Sequence, residues 1–413
     1  MSMYIDATSG AVEHCETMAN LHPELAEKYQ LIASHCRSKL WHQLTLTIQT
    51  FVDSSDNLRT TTEGTNSFLA LYDKVVLSVD KKINPLSLAR IASSVSSSLV
   101  STDGTAAKAL LENLLEEKKA RLGIPATIYV ESRLHLLSLT LFEKQELPPS
   151  GSAEMQRIAD SIQRNAALLQ ELAVDTKGSS TSSSVVHSAH YECGMKYRKV
   201  VGPPEAFYAE ALSYINYTPL DQIDDTRALA VDLSLAALTG DGVFNFGQVV
   251  TKPILRVLVG TPDEWLVELM EIMAKGDVLA FTQLTEKHAA AIQAQPTLVH
   301  RANVVKEKIT LLSLVNMVFE RPSAERTLGF QEVADRIQVP LDQVELVVMR
   351  ALSLNLMEGC LDQVSKEIEV TWVMPRVLTP GQMQELAARF GQWAVKSSKT
   401  KDYMDQHTPA LFG

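Results

Sequence analysis

From His22 to about Phe319 the sequence is one amphipathic segment after another, and strand-like alternation is absent from the whole stretch. Val130, Leu134, Leu137 and Leu141 fall on one helical face, as do Ile158, Ile162, Ala166 and Leu169. The same holds for Phe207, Ala211, Tyr214 and Ile215, and for Trp265, Leu269, Ile272 and Met273. Pro23 and Pro125 suit first-turn positions, and Gly123, Gly240 and Gly276 suit helix ends. Nearly 300 residues of such segments exceed what one closed bundle can share as a core. The pattern therefore predicts a mainly α chain whose helix pairs stack as a solenoid. No strict repeat of ~34 residues recurs, so the array is a degenerate, TPR-like one.

Composition agrees with this. Hydrophobic residues make up 46% of the 413, aromatics only 6%, a bias toward packed helices over sheets. The formal net charge of -11 repels phosphate backbones and anionic lipid, which argues against nucleic acid or membrane as the main partner. Cys15, Cys36, Cys193 and Cys360 are scattered without a C-x-x-C pair, as expected for reduced thiols in the cytoplasm or nucleus. Met1 to Asn20 has no secretory pattern, and no apolar run reaches membrane-spanning length. Two polar stretches, Ser54 to Asn66 and the Ser-rich Gly178 to Ser184, read as loops between helices; a regulatory phosphorylation loop is the alternative for the second.

Near Leu328 the pattern changes. A short extended piece, Thr327 to Phe330, leads into a small helix, Gln331 to Ile337. Val339 to Asp342 turns the chain, with Asp342 placed to cap the next helix. That helix carries Val344, Val347, Val348, Ala351 and Leu352 on one face. Two short strands follow, about Met357 to Leu361 and Glu367 to Trp372. In the second, Ile368, Val370 and Trp372 alternate with Glu369 and Thr371. Helix, turn, helix and a two-stranded wing make a winged helix. A terminal helix starts at Pro380 and carries Met383, Leu386, Phe390 and Trp393 on one face.

The winged helix does not read as a DNA binder. Its second helix offers only Arg350 as a cation, and Glu325 to Trp372 holds four basic residues against nine acidic ones. Protein packing is the better use of such a surface.

A helical array running into a winged helix resembles the PCI family, which is shared by the proteasome lid, the COP9 signalosome and translation initiation factor three. The runs Leu238 to Gly247, Val344 to Ser353 and Val370 to Leu378, with Phe207 to Leu212, are most similar to a lid member. That likeness covers about Val186 to the C-terminus; the first 180 residues share only helical character. The resemblance implies a non-catalytic scaffold with a helical arm over about residues 1 to 315. It implies packing against neighbouring winged helices through Phe330, Met357, Ile368, Val370 and Trp372. It also implies a helix bundle entered by Pro380 to Lys396 through Met383, Leu386, Phe390 and Trp393. The partners so implied are the other PCI subunits and the metalloprotease-fold subunits of the lid, with the ubiquitin-receptor subunit as a further one. Nucleic acid, membrane and self-association are not among them, and the setting is cytoplasm and nucleus. A signalosome or initiation-factor subunit is the alternative within this fold. For the terminal stripe, the alternative is packing back on its own winged helix. The domain division expected is 1–185 and 186–320 for helical repeats, 321–376 for the winged helix and 377–413 for the terminal helix and tail.

Catalytic signals are weak. His187, His190 and Cys193 have helical spacing, but no H-E-x-x-H or acidic ligand accompanies them, so packing residues are expected rather than a metal site. His14, His22, His35 and His42 with Cys15 and Cys36 lack an orienting acid or oxyanion motif. The run Gly240 to Gly247 lacks the Lys-Ser/Thr of a phosphate loop and follows a helix rather than a strand. It is expected to be a turn anchored by Phe244 and Phe246. No cofactor is implied.

Overall fold

The computed structural model describes residues 7–54, 67–100, 103–144, 153–175, 180–322, 325–378 and 380–407. The chain forms two compact units, Met1–Asp224 and Asp225–Gly413. That division falls inside the stretch 186–320, which the sequence treats as one block.

The first unit is built from helix pairs. Ala7–Leu21 packs on Ala26–Arg37, Pro85–Leu99 on Gly104–Lys144, and Ser180–Val201 on Pro204–Tyr217. The Gly104–Lys144 segment is two helices that meet at a kink. Gly123 breaks it at φ 69°, and Pro125 begins the next turn. Both roles follow from residue chemistry: glycine tolerates the left-handed region, and proline has no amide hydrogen to lose in a first turn. The core includes Tyr29, Phe51 and Phe68, whose rings meet edge to face at 5.1 and 6.1 Å. The polar stretch 55–66 lies outside the described residues. So do residues 178–179 of the Ser-rich segment, but from Ser180 onward that segment is helix rather than loop. It opens a helix that has a long, well-packed apolar remainder, and this outweighs the weak helix propensity of serine.

In the second unit, Asp225 caps the helix Thr226–Thr239 by accepting from the Ala228 amide at 2.9 Å. The helix stops at Gly240. Gly242 at φ 73° turns the chain, and Phe244 and Phe246 are buried as anchors. The centre of this unit is the helix Ala302–Phe319, buried almost continuously from Lys308 to Val318. Helix Glu264–Lys275 packs on it and ends at the left-handed Gly276. A β-carbon there would lie 2.6 Å from Asn316 and 2.9 Å from the Leu312 backbone, so only glycine allows this approach.

The winged helix follows. Strand β1 (Thr327–Gly329) leads into the helices Phe330–Ile337 and Leu341–Ser353, then strands β2 (Met357–Asp362) and β3 (Glu367–Val373). The sheet is antiparallel in the order β1-β3-β2. One detail differs from the sequence expectation. The residue preceding the second helix is Pro340, and Asp342 sits inside its first turn without bonding as a cap. Proline at the boundary sets the entry, and the Asp342 carboxylate acts on the positive end of the helix through its charge.

Candidate interaction surfaces

The hairpin places its predicted interface residues on two sides. Phe330, Met357, Ile368 and Val370 are buried in the winged helix's own core, together with Leu328, Val333, Val344 and Val348. Trp372 is not with them: it is 39% exposed, and Val373 takes the inward position. The cause is a bulge. Glu358 pairs with Trp372 and Gly359 with Val370, so Thr371 has no opposite residue and the alternation slips by one. Gly359 permits this. A β-carbon there would sit 2.2 Å from the Glu369 carbonyl oxygen. The Thr371 hydroxyl closes the bulge by donating to the Glu358 carbonyl at 3.1 Å. What the hairpin offers outward is therefore the Trp372 ring and the edge of β2, whose outer side pairs with no strand among the described residues.

The terminal helix spans Pro380–His407, well beyond Lys396. Every residue of it whose side chain is described is exposed. Met383, Leu386, Phe390 and Trp393 form a stripe at spacings of three, four and three, with Trp393 69% exposed. They do not pack back on the winged helix. The segment that precedes this helix, Met374 to Val377, is held by several contacts. Met374 N–H donates to the Leu356 carbonyl at 2.9 Å. The Arg376 guanidinium donates to Asn316 and, at 3.3 Å, to the Ala274 carbonyl. Burial pulls Arg376 down to about 10. Val377 packs against Gly247, where a β-carbon would come within 2.9 Å of it.

The helix that would read DNA in a nucleic-acid-binding winged helix exposes Leu341, Leu346 and Met349. Its one cation, Arg350, is engaged with Glu307 at 2.7 Å.

Three of the four cysteines, Cys15, Cys36 and Cys193, are buried, and Cys360 is exposed. Burial pushes the thiols of Cys15 and Cys193 up to about 12 and that of Cys36 to about 11, so the nucleophilic thiolate does not form near neutral pH. His187 stacks on Tyr217 at 4.7 Å. Burial, reinforced by His187, brings His190 down to about 4 and keeps it neutral. Among the described residues no three His, Cys, Asp or Glu side chains gather as a metal-binding group.

The glycine-rich run is a structural turn held by a residue the sequence reading missed. Lys308 is buried, and its ammonium donates to the carbonyls of Ala237, at 2.8 Å, and Gly240. It also lies 5.9 and 5.7 Å from the Phe244 and Phe246 ring centres. Arg301 donates to the Thr239 carbonyl at 2.8 Å and to Asp241 at 3.1 Å. Two cations thus satisfy the otherwise unpaired carbonyl end of helix Thr226–Thr239. The available signal was one lysine within the apolar face of Ala302–Phe319.

Comparison with known proteins matches residues 28–270 to the family described as PSD13 N-terminal repeats, and residues 285–372 to the PCI domain. The 26S proteasome non-ATPase regulatory subunit 13 homolog B of Arabidopsis thaliana is 31% identical, over 97% of this chain and 99% of its own length. The chain belongs to the family of 26S proteasome non-ATPase regulatory subunit 13. The Dictyostelium discoideum member is 27% identical, over 98% of this chain and 99% of its own. The subunit 13 likeness therefore runs through the N-terminal half as well, where the sequence alone offered only helical character. Eukaryotic translation initiation factor 3 subunit M of Coccidioides immitis is 25% identical over 47% of this chain and 41% of its own. No helix among the described residues is long and apolar enough to cross a membrane.

Proposed function

We propose that this chain is a non-catalytic scaffold subunit of the proteasome's regulatory-particle lid, acting in ubiquitin-dependent protein degradation in cytoplasm and nucleus. The observation that carries the reading is the terminal helix: an apolar stripe left exposed on a helix that follows the held segment Met374 to Val377. Such a stripe calls for a partner groove. Met383, Leu386, Phe390 and Trp393 fill that groove in a shared helix bundle. The winged helix, residues 321–376, docks against a neighbouring winged helix through Trp372 and the β2 edge. Phe330, Met357, Ile368 and Val370 support that surface from beneath. The helical repeats, 1–185 and 186–320, carry further contacts. The partners are other PCI subunits, the metalloprotease-fold subunits and the ubiquitin-receptor subunit, with neither nucleic acid nor a second copy of this chain among them. The raised thiols, the neutral His190 and the engaged Arg350 support a role without catalysis or DNA reading.

Removal of residues 380–413 tests this. The truncated chain is expected to keep its melting temperature and to be lost from the proteasome band on a native gel after gentle affinity purification. Normal incorporation would refute the reading. Recovery of the full chain with initiation-factor or signalosome subunits would reassign the complex while keeping the fold.

A further inference from the structure

Two stretches of the first unit contain no acidic residue at all: 28–52, between Glu27 and Asp53, and 81–102, between Asp80 and Asp103. The chain as a whole carries 49 acidic residues and a net charge of -11, so these stretches stand apart from it. The fold brings them together, because helix Trp41–Ser54 packs on helix Pro85–Leu99. The residues that open both helices line a cavity of about 570 Å³, among them Lys39, Leu40, Trp41, His42, Lys82 and Ser87. Lys39, Lys81 and Lys82 are exposed and form no ion pair among the described residues. Nearby cations differ: Arg37 is paired with Glu16, and Arg121 with Asp80. Apolar surface adjoins the charge, since Leu40 is exposed and Trp41 only half-buried.

We propose that this face binds an acidic segment of a partner protein, its carboxylates on Lys39 and Lys82 and an apolar side chain against Leu40 and Trp41. Complementary charge selects the partner and speeds its approach, while an aromatic beside a cavity supplies the short-range contact. Nucleic acid fits less well. The surrounding chain repels a dense polyanion, and Trp41 gives a single stacking surface where a strand needs several. This inference concerns the first unit and stands independently of which complex holds the second.

The test uses the full-length chain and a fluorescein-labelled peptide of alternating glutamate and leucine, followed by fluorescence anisotropy. Binding is expected at low salt and should weaken as salt rises. The double variant Lys39→Asp, Lys82→Glu should weaken it about tenfold, since two attractive pairs become repulsive. Aspartate is chosen at residue 39 because its backbone sits at φ 58°, which aspartate tolerates. Lys82→Gln alone should give a smaller loss in the same direction with an unchanged circular dichroism melt. The distant pair Lys399→Glu, Lys401→Glu should leave binding intact. Failure of the wild type to bind, or equal binding by the Lys39/Lys82 variant, overturns the proposal. So does tighter binding of an oligouridylate that depends on the same lysines.

Discussion

Lys308→Met isolates the value of a buried ammonium that serves carbonyls. The substitution keeps the length and apolar stem of the side chain and removes only its donors. Lys308 is 2% exposed, so water cannot replace it at Ala237 and Gly240. Each buried carbonyl left without its donor costs about 1–3 kcal/mol. Loss of the attraction to the Phe244 and Phe246 rings adds about 1 kcal/mol. Against this runs relief from holding an ion out of water, several kcal/mol before relaxation. The net expectation is a loss of about 2–3 kcal/mol. Urea unfolding followed by tryptophan fluorescence suits the measurement, because three of the four tryptophans, Trp265, Trp372 and Trp393, lie in the second unit. Far-UV circular dichroism reports both units, and divergence of the two curves would separate their transitions. Lys306→Met, on the exposed side of the same helix, is the control and should stay within about 0.5 kcal/mol of wild type. Unchanged or increased stability in Lys308→Met would refute the reasoning, since the cost of burying the ion would then equal or exceed what its hydrogen bonds return.

Gly359→Ala should cost about 3 kcal/mol, because the atoms its β-carbon meets are backbone and cannot swing aside; an unchanged melting temperature would mean the bulge can relocate. Trp372→Ala should cost only about 2 kcal/mol, below the 3–5 of a fully buried ring, while weakening incorporation into the complex more than that loss explains. Acid should destabilise the protein through His190: its folded value of about 4 lies below the ordinary 6.5, so the unfolded chain takes up the proton first, and stability present above pH 6.5 drains away down to about pH 4. Glu210, whose carboxyl burial raises, works in the opposite direction, so the check is a comparison of wild type with His190→Gln, which should lose less stability across that window.

What the sequence revealed and what it hid divide along a physical line. Local periodicity exposed the helices, the Gly123 break, the winged helix and the terminal stripe, because each is a pattern within one element. Trp372 was misplaced because the bulge depends on Gly359, across the hairpin, approaching the Glu369 carbonyl. A strand's own alternation carries no trace of that. Lys308 escaped notice because its partners lie about seventy residues earlier in the chain. Asp342 fits a capping rule, but the helix already begins at Leu341, which leaves its carboxylate inside the first turn rather than ahead of it. The Ser-rich stretch followed composition into a loop, whereas the packed remainder of Ser180–Val201 draws its first turns into helix.

The fixed connector from Met374 to Val377 has a kinetic consequence. The terminal helix has 28 residues, a rod of about 42 Å at 1.5 Å per residue, anchored at one end to the winged helix. Once either surface of this pair engages the proposed assembly, the other is already held within about that rod's length of its neighbours. Its local concentration reaches about the millimolar range, however dilute the free protein is. Each contact can then be individually weak and exchange quickly while the pair persists, so a newly made chain can sample and abandon wrong neighbours before the second contact commits it.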